Sequence, residues 1–320
     1  MTTAPGPTLV DDVLGDDWVA RTIPLTPDAG GEAVATLVHR RDAGTRNRAV
    51  LYLHGFTDYF FQTAHADAWR AQGYDFYALE LRDYGRSIRP GRMPAWVTDL
   101  RTYDEELDAA VDILRGEQGH AEVVLLGHST GGLVASLYAN DHPGRVDALV
   151  LNSPWFDLNS SWFDRVIGTR IIDVLGRFAP HVPVGTLGDA YGRSLHSSTG
   201  GDYDYDLAWK PLEGFEVHAG WLRAVRRGHG HVKKGLSIRV PVLVCTSARS
   251  GDHKTPTADE LANTDCVLDV RRIRSRAAGI GSDVTVLRVP GGRHDLALSR
   301  EPARSRFEYL VFDWLGRRMP

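Results

Sequence analysis

The stretch "EVVLLGHSTGGLVASLY", residues 122–138, constrains this chain more than any other. Val123–Leu126 is an apolar run with the character of a strand buried on both faces, and Leu133–Tyr138 continues as an apolar helix. Between them stand Gly127, His128, Ser129, Thr130, Gly131 and Gly132. A strand that turns into a helix over so few residues bends sharply and forces the central residue, Ser129, into a strained backbone. The bend also presses positions 127 and 131 against neighbouring main chain, where any Cβ would clash, so glycine there has a steric purpose. A serine on such a corner holds its hydroxyl clear of the sheet. The amide of Thr130, at the helix start, points into the same space as a donor for an oxyanion. The competing reading, a glycine-rich turn that merely packs, does not account for the strand before it and the helix after it.

The rest of the chain repeats the strand–helix alternation. "WVARTIPL" and "AVATLVHRR" read as two strands joined by "TPDAGGE". "RAVLYLHGF" reads as a buried strand, "AHADAWRAQGY" as a helix ending at Gly73, and "DFYALEL" as the next strand. Thr98 or Asp99 caps a helix whose Leu100, Tyr103, Leu107, Ala110, Val111 and Leu114 share one face. "RVDALVLNSP", "SIRVPVLVCTS" and "DVTVLRVPG" supply further strands, and "ARSRFEYLVFDWLGRR" closes with an amphipathic helix. This pattern predicts an α/β fold, with a mostly parallel central sheet flanked by helices. It breaks at residue 155. The expected organisation is a core of 1–154 and 236–320 interrupted by an inserted cap, or lid, at 155–235.

Composition narrows the partners. The chain has 320 residues and a formal net charge of −4, which gives no reason to expect nucleic acid as a partner. No run approaches the 18 or so consecutive apolar residues of a membrane span, so no stable membrane insertion is expected. The start, "MTTAPGPTLVDD", has no basic or apolar leader, and a cytoplasmic protein is the expectation. Cys245 and Cys266 are the two cysteines, and Cys245 lies in an apolar run as a small core residue. His229 and His231 form an H-x-H fragment without a carboxylate cluster, so no metal site is expected there. Nothing in the composition indicates an oligomeric state.

Four segments together, "LYLHGF" (51–56), "ALELRDYGRS" (78–87), "LLGHSTGG" (125–132) and "GGRHD" (291–295), resemble the α/β-hydrolase family. Within it they are most similar to the monoacylglycerol lipase, lysophospholipase and serine aminopeptidase-like branch. The resemblance covers residues of about 30–155 and 236–318. It implies that Ser129 is a nucleophile, that His54 is a structural loop residue, and that the amide of Phe56 is the second oxyanion donor beside that of Thr130. It also implies that no metal or organic cofactor is needed.

A nucleophilic serine requires a base and an acid that orients the base. Family order is serine, acid, histidine. His294 follows the final strand in a tight Gly-Gly turn ahead of the last helix, which makes it the expected base. For the acid, "TDCVLDV" resembles the family's acid-bearing turn, and Asp265 precedes His294 by 29 residues (294 − 265), a family-like spacing. Asp265 is favoured, although it requires residues 248–263 to form an extra loop. Asp252, in "SGDHK", is the alternative acid, and Asp269 a third.

Residues 155–232 carry Trp155, Phe156, Trp162 and Trp209, the candidate lining of an apolar acyl pocket, or else the packing of the cap. "LHSSTGGDYDYD" (195–206) reads as a turn-rich loop at the pocket rim, and Asp202, Asp204, Asp206, Glu213 and Glu216 as a solvated acidic edge. The expected activity is hydrolysis of a small-molecule or lipid-like carboxylic ester. Peptide hydrolysis by the same residues, and a non-catalytic binding module on the same fold, are the alternatives.

Overall fold

The computed structural model describes residues 8–158 and 169–319. The chain opens with an antiparallel meander of β1 (Leu9–Asp12), β2 (Gly15–Asp28) and β3 (Gly31–Arg40). The last two are the predicted early strands. β1 escaped prediction because its residues are exposed or only half-buried, so no apolar alternation marks it. Alternation follows through β4 (Arg48–Leu53), α1 (Thr63–Ala71), β5 (Tyr74–Glu80), α2 (Asp104–Asp112), β6 (Glu122–His128), α3 (Thr130–Asp141) and β7 (Ala148–Asn152). Asp99 caps the turn that leads into α2, accepting from the Arg101 amide. After β7 come α4 (Thr169–Phe178), β8 (Pro183–Gly185), α5 (Ala190–Leu195), β9 (Val217–His218) and α6 (Ala219–Lys234). The main sheet then resumes with β10 (Val242–Ser247), α7 (Ala258–Asn263), α8 (Val270–Ala277), β11 (Val284–Val289) and α9 (Ala303–Arg318).

Nine strands form one sheet in the order β1-β2-β3-β5-β4-β6-β7-β10-β11. β5, β4, β6, β7, β10 and β11 run parallel, and β1 to β3 join antiparallel at one edge. Side-chain alternation with a period of two divides the apolar residues between two cores. Leu51, Leu125, Leu149 and Val244 face one core, shared with Leu107 of α2, Leu133 of α3, Trp221 of α6 and Ile273 of α8. Val50, Leu126, Val150 and Leu243 face the other, with Trp69 of α1 and Phe307 and Trp314 of α9. Both faces are covered, which is why the parallel strands read as continuous apolar runs. The carboxyl ends of β4, β6, β7, β10 and β11 lie side by side, and every loop described below leaves from that edge.

Candidate active site

β6 ends at His128 and α3 begins at Thr130, so Ser129 alone makes the corner, at φ +52° and ψ −116°. Main-chain bonds hold it there: the Ser129 amide donates to Asn152 O at 3.1 Å, and the Trp155 amide donates to Ser129 O at 2.9 Å. The flanking glycines are required. A Cβ at Gly127 would lie 2.7 Å from Gly131 O, and one at Gly131 would lie 2.2 Å from His54 O and 2.5 Å from Leu53 O. Because these neighbours are backbone, no rotamer change relieves the clash.

His294 arrives from the Gly291–Gly292 turn that follows β11. Its Nε2 lies 3.0 Å from Ser129 Oγ, and its Nδ1 lies 3.0 Å from Asp265 Oδ2. Asp265 is fully buried, and its Oδ1 accepts the Val267 and Leu268 amides at 2.9 and 2.8 Å. One carboxylate oxygen therefore fixes the turn while the other faces the imidazole. Asp252 is not brought to this group. It is exposed, and its Oδ1 accepts the Lys254 and Thr255 amides, which holds its carboxyl below the usual carboxylate range. Asp269 caps α8 through the Arg271 amide. The segment 248–263 is more than a loop, since it contains α7, started by a reciprocal Thr257–Glu260 capping box.

The loop after β4 passes beside the serine: a Cβ at Gly55 would lie 3.2 Å from Ser129 Cβ. Neither the Phe56 nor the Thr130 amide has a backbone acceptor among the described residues. His54 is buried, with Nδ1 donating to Gly55 O at 2.7 Å and Nε2 accepting the Leu81 amide at 3.2 Å, and burial pulls its pKa down to about 4. Both its nitrogens serve the loop.

Two cavities flank Ser129. The larger, about 170 Å³, is lined by Trp155, Leu187, Tyr191, Leu261, Val267 and Leu268 among others. The smaller, about 100 Å³, is lined by Phe56, Asp58, Tyr191, Lys210, Leu212 and His294 among others. Of the four aromatic residues proposed from sequence, Trp155 lies in the first cavity. Phe156 is a correction: it is fully buried in the core below, because the chain turns inward after Trp155. Trp209 is a second correction, since it stacks edge-on against Tyr59 and lies 5.1 Å from the Arg86 guanidinium, outside both cavities. Trp162 lies outside the described residues. Of the 195–206 stretch, Leu195 and Tyr205 join Tyr59, Phe61 and Leu298 in a separate apolar cluster, while residues 197–200 are exposed, and the stretch lines neither cavity. Of the acidic edge, Asp202 pairs with Arg293 and Arg300, and Glu213 with Arg193.

Several site residues escaped the sequence reading. The Tyr191 ring meets His294 edge-on at 5.7 Å, and its hydroxyl accepts the Asp295 amide at 2.9 Å. His128 and Asp295, the chain neighbours of Ser129 and His294, approach each other on the other side of these residues, and with Asp58 they form a buried group. Their adjacency to the two key residues was the available signal; Asp58 and Lys210 left none. The three could offer ligand atoms to a metal ion, but protein donors already engage both carboxylates. Lys210 Nζ donates to Asp58 Oδ1, and Asp295 Oδ1 accepts from Asn152 Nδ2 and the Ala297 amide. His229 and His231 stand two apart on α6 and so diverge; His229 bonds to Trp155 O at 2.9 Å.

This sheet, with its serine corner at the carboxyl end of β6 and its histidine beyond the last strand, defines an α/β-hydrolase. A profile described as serine aminopeptidase, S33, matches residues 44–301, and the chain belongs to that family. The monoacylglycerol lipase of Mycolicibacterium smegmatis is 30% identical over 249 residues, which is 75% of this chain and 85% of that protein. The crystal structure of Paleococcus ferrophilus monoacylglycerol lipase superimposes with a TM-score of 0.63 at 18% identity, over 86% of this chain and 97% of that one. A soluble variant of the Saccharomyces cerevisiae monoglyceride lipase, in complex with a substrate analog, gives a TM-score of 0.65 at 17% identity, over 100% and 96%. The protein is thus a monoacylglycerol lipase-like α/β-hydrolase. No described helix is long and apolar enough to cross a membrane.

Proposed function

We propose that this protein is a serine ester hydrolase of the monoacylglycerol lipase and lysophospholipase kind, acting through Ser129, His294 and Asp265. The observation that carries the reading is the unbroken line of 3.0 Å contacts from Asp265 through His294 to a serine held at positive φ. In it, Nδ1–H of His294 donates to Asp265, which leaves the Nε2 lone pair directed at the Ser129 hydroxyl. Ser129 Oγ attacks the ester carbonyl as its proton passes to Nε2. The amides of Phe56 and Thr130 donate to the oxyanion, and loss of one such donor typically costs about two to three decades in rate. The imidazolium then protonates the leaving alkoxide, and water deprotonated by His294 releases the acid from Ser129.

The larger cavity, past Trp155 and Val267, suits an acyl chain, and the smaller one, beside the Asp58–Lys210 pair, suits the alcohol. Residues 155–235 we read as a cap that contributes Leu187 and Tyr191 to both. The name of the mycolicibacterial relative supports the same substrate class. The family's peptidase description favours a second reading, cleavage of aminoacyl bonds, which needs a carboxylate for the substrate's ammonium. Asp189 and Asp58, which line the two cavities, are paired with Arg193 and Lys210 respectively, and this argues for the ester. The test is fluorophosphonate labelling at Ser129, together with a panel of nitrophenyl esters against aminoacyl anilides. Labelling with ester preference is expected; preference for the anilides, or no adduct on folded protein, overturns the reading.

A further inference from the structure

The loop that carries the Phe56 amide is strained. Thr57, a β-branched residue, sits at φ +49°, a conformation that persists only where the surroundings impose it. One distant stretch of chain supplies four of the contacts that surround the loop. The Asp206 amide donates to the Tyr59 hydroxyl at 2.7 Å. Lys210 Nζ donates to Asp58 Oδ1 at 2.5 Å. The Phe215 amide donates to Thr57 Oγ1 at 3.1 Å, and the Trp221 ring packs on that of Phe56 with centroids 4.1 Å apart. As residues 206, 210, 215 and 221 advance, their partners run back through 59, 58, 57 and 56, so every residue of the loop is gripped from that stretch.

Lys210 is the strongest of these grips. It and Asp58 are 8% and 3% exposed, and the ammonium also lies 5.2 and 5.5 Å from the ring centroids of Phe61 and Tyr205. A carboxylate oxygen of Asp58 lies within 4.8 Å of one on Asp295. Without the ammonium, two buried like charges would face each other, and the loop would move to part them. Amide donation to an oxyanion depends on where the N–H points, and the Phe56 N–H lies in the Gly55–Phe56 peptide plane, which the grips on residues 56–59 hold in place.

We infer that the 206–221 segment holds the oxyanion loop in its working conformation, with Lys210 and Thr57 as positioning residues for the Phe56 amide. The inference rests on the proposed roles of Ser129 and Phe56. Replacing Lys210 by Met is expected to lower kcat on a nitrophenyl ester by about ten-fold or more, a tilted donor costing less than a lost one. Lys210 also lines the smaller cavity, but its ammonium is engaged by Asp58 and Met keeps an apolar stem at the wall, so KM is expected to stay within about two-fold. A trifluoromethyl ketone, whose adduct with serine carries the oxyanion, loses affinity in parallel with kcat/KM, while an unreactive ether analogue of the ester binds as before. Thr57→Val keeps the side-chain shape and removes the acceptor of the Phe215 amide. It is expected to show the same pattern at several-fold magnitude, and it decides the matter if Lys210→Met does not fold. Unchanged kcat in a folded variant, or equal weakening of ketone and ether, overturns the inference. Ser129→Ala separates the two levels: if it remains active, the reading of the active site falls. If it is inactive while Lys210→Met and Thr57→Val turn over normally, only the positioning role falls.

Discussion

Asp265 divides its carboxylate between two tasks, with Oδ2 placed 3.0 Å from His294 Nδ1 and Oδ1 accepting the amides two and three residues ahead. Asp265→Asn can keep the second task but reverses the first. Its Oδ1 still takes the Val267 and Leu268 amides, which directs the NH₂ group at His294 Nδ1. That stabilises the tautomer with the proton on Nε2, which cannot accept one from Ser129. We expect ester turnover to fall by roughly 10³–10⁴-fold with the fold retained. Asp252→Asn, at an exposed turn where Asn serves as well, is expected to leave kcat unchanged. Steady-state kinetics on the two variants checks this, and a larger loss at Asp252 would reverse the assignment.

How far this site was legible follows from which contacts are local. The corner at Ser129 was visible because its glycines meet backbone atoms within a few residues or on the adjacent strand, a constraint that leaves its mark on the residues themselves. His294 was visible from its place after the last strand. Asp265 emerged only through family likeness, since its distance in sequence from Ser129 carries no periodic signal. Lys210 was invisible, because a lysine that pairs with Asp58 looks in sequence like any surface lysine. The misplacement of Phe156 and Trp209 has the same origin: aromatic composition reveals that something is covered, and tertiary packing alone decides which ring faces the cavity.

The glycines give a stability contrast. Gly131→Ala drives a Cβ into the main chain of Leu53 and His54, an overpacking that costs about 3 kcal/mol or more because backbone cannot rotate away. We expect Tm to fall by roughly 6–12 °C, or no folded protein at all. Gly230, in the interior of α6, has nothing within 4 Å of its Cβ position and an ordinary φ. Gly230→Ala should raise stability by about 0.5–1 kcal/mol. Melting curves of the two variants test both signs; a harmless Gly131→Ala would refute the steric account of the corner.

Two buried histidines set an acid limit. Burial pulls the pKa of His54 and of His229 down to about 4. In the unfolded chain a histidine titrates near 6.5. Between these values the unfolded state holds more protons, so stability increases with pH. The contribution of each, up to about 3 kcal/mol, is complete above pH 6.5 and is lost as the pH falls towards 4. Tm should therefore drop steadily between neutral pH and about pH 4.5. In His229→Gln, which keeps a donor for Trp155 O, the slope over that interval should be shallower. Parallel slopes in variant and wild type would show that His229 is not one of the groups responsible.

The larger cavity offers a test of which limb of the ester it takes. Leu261 contributes to its wall from α7, with Val267 and Leu268 close by. Leu261→Trp adds bulk to a cavity of about 170 Å³ while keeping an apolar surface on a half-buried helix, so the fold is expected to survive. If acyl chains lie there, each methylene excluded forfeits about 0.8 kcal/mol of burial, and four of them cost about two orders of magnitude in kcat/KM. Long-chain nitrophenyl esters should suffer that loss, while acetate and butyrate esters, whose chains end near Ser129, turn over as before. A uniform loss across chain lengths would mean that the acyl chain lies elsewhere, and the smaller cavity past Phe56 and Leu212 would then be its place.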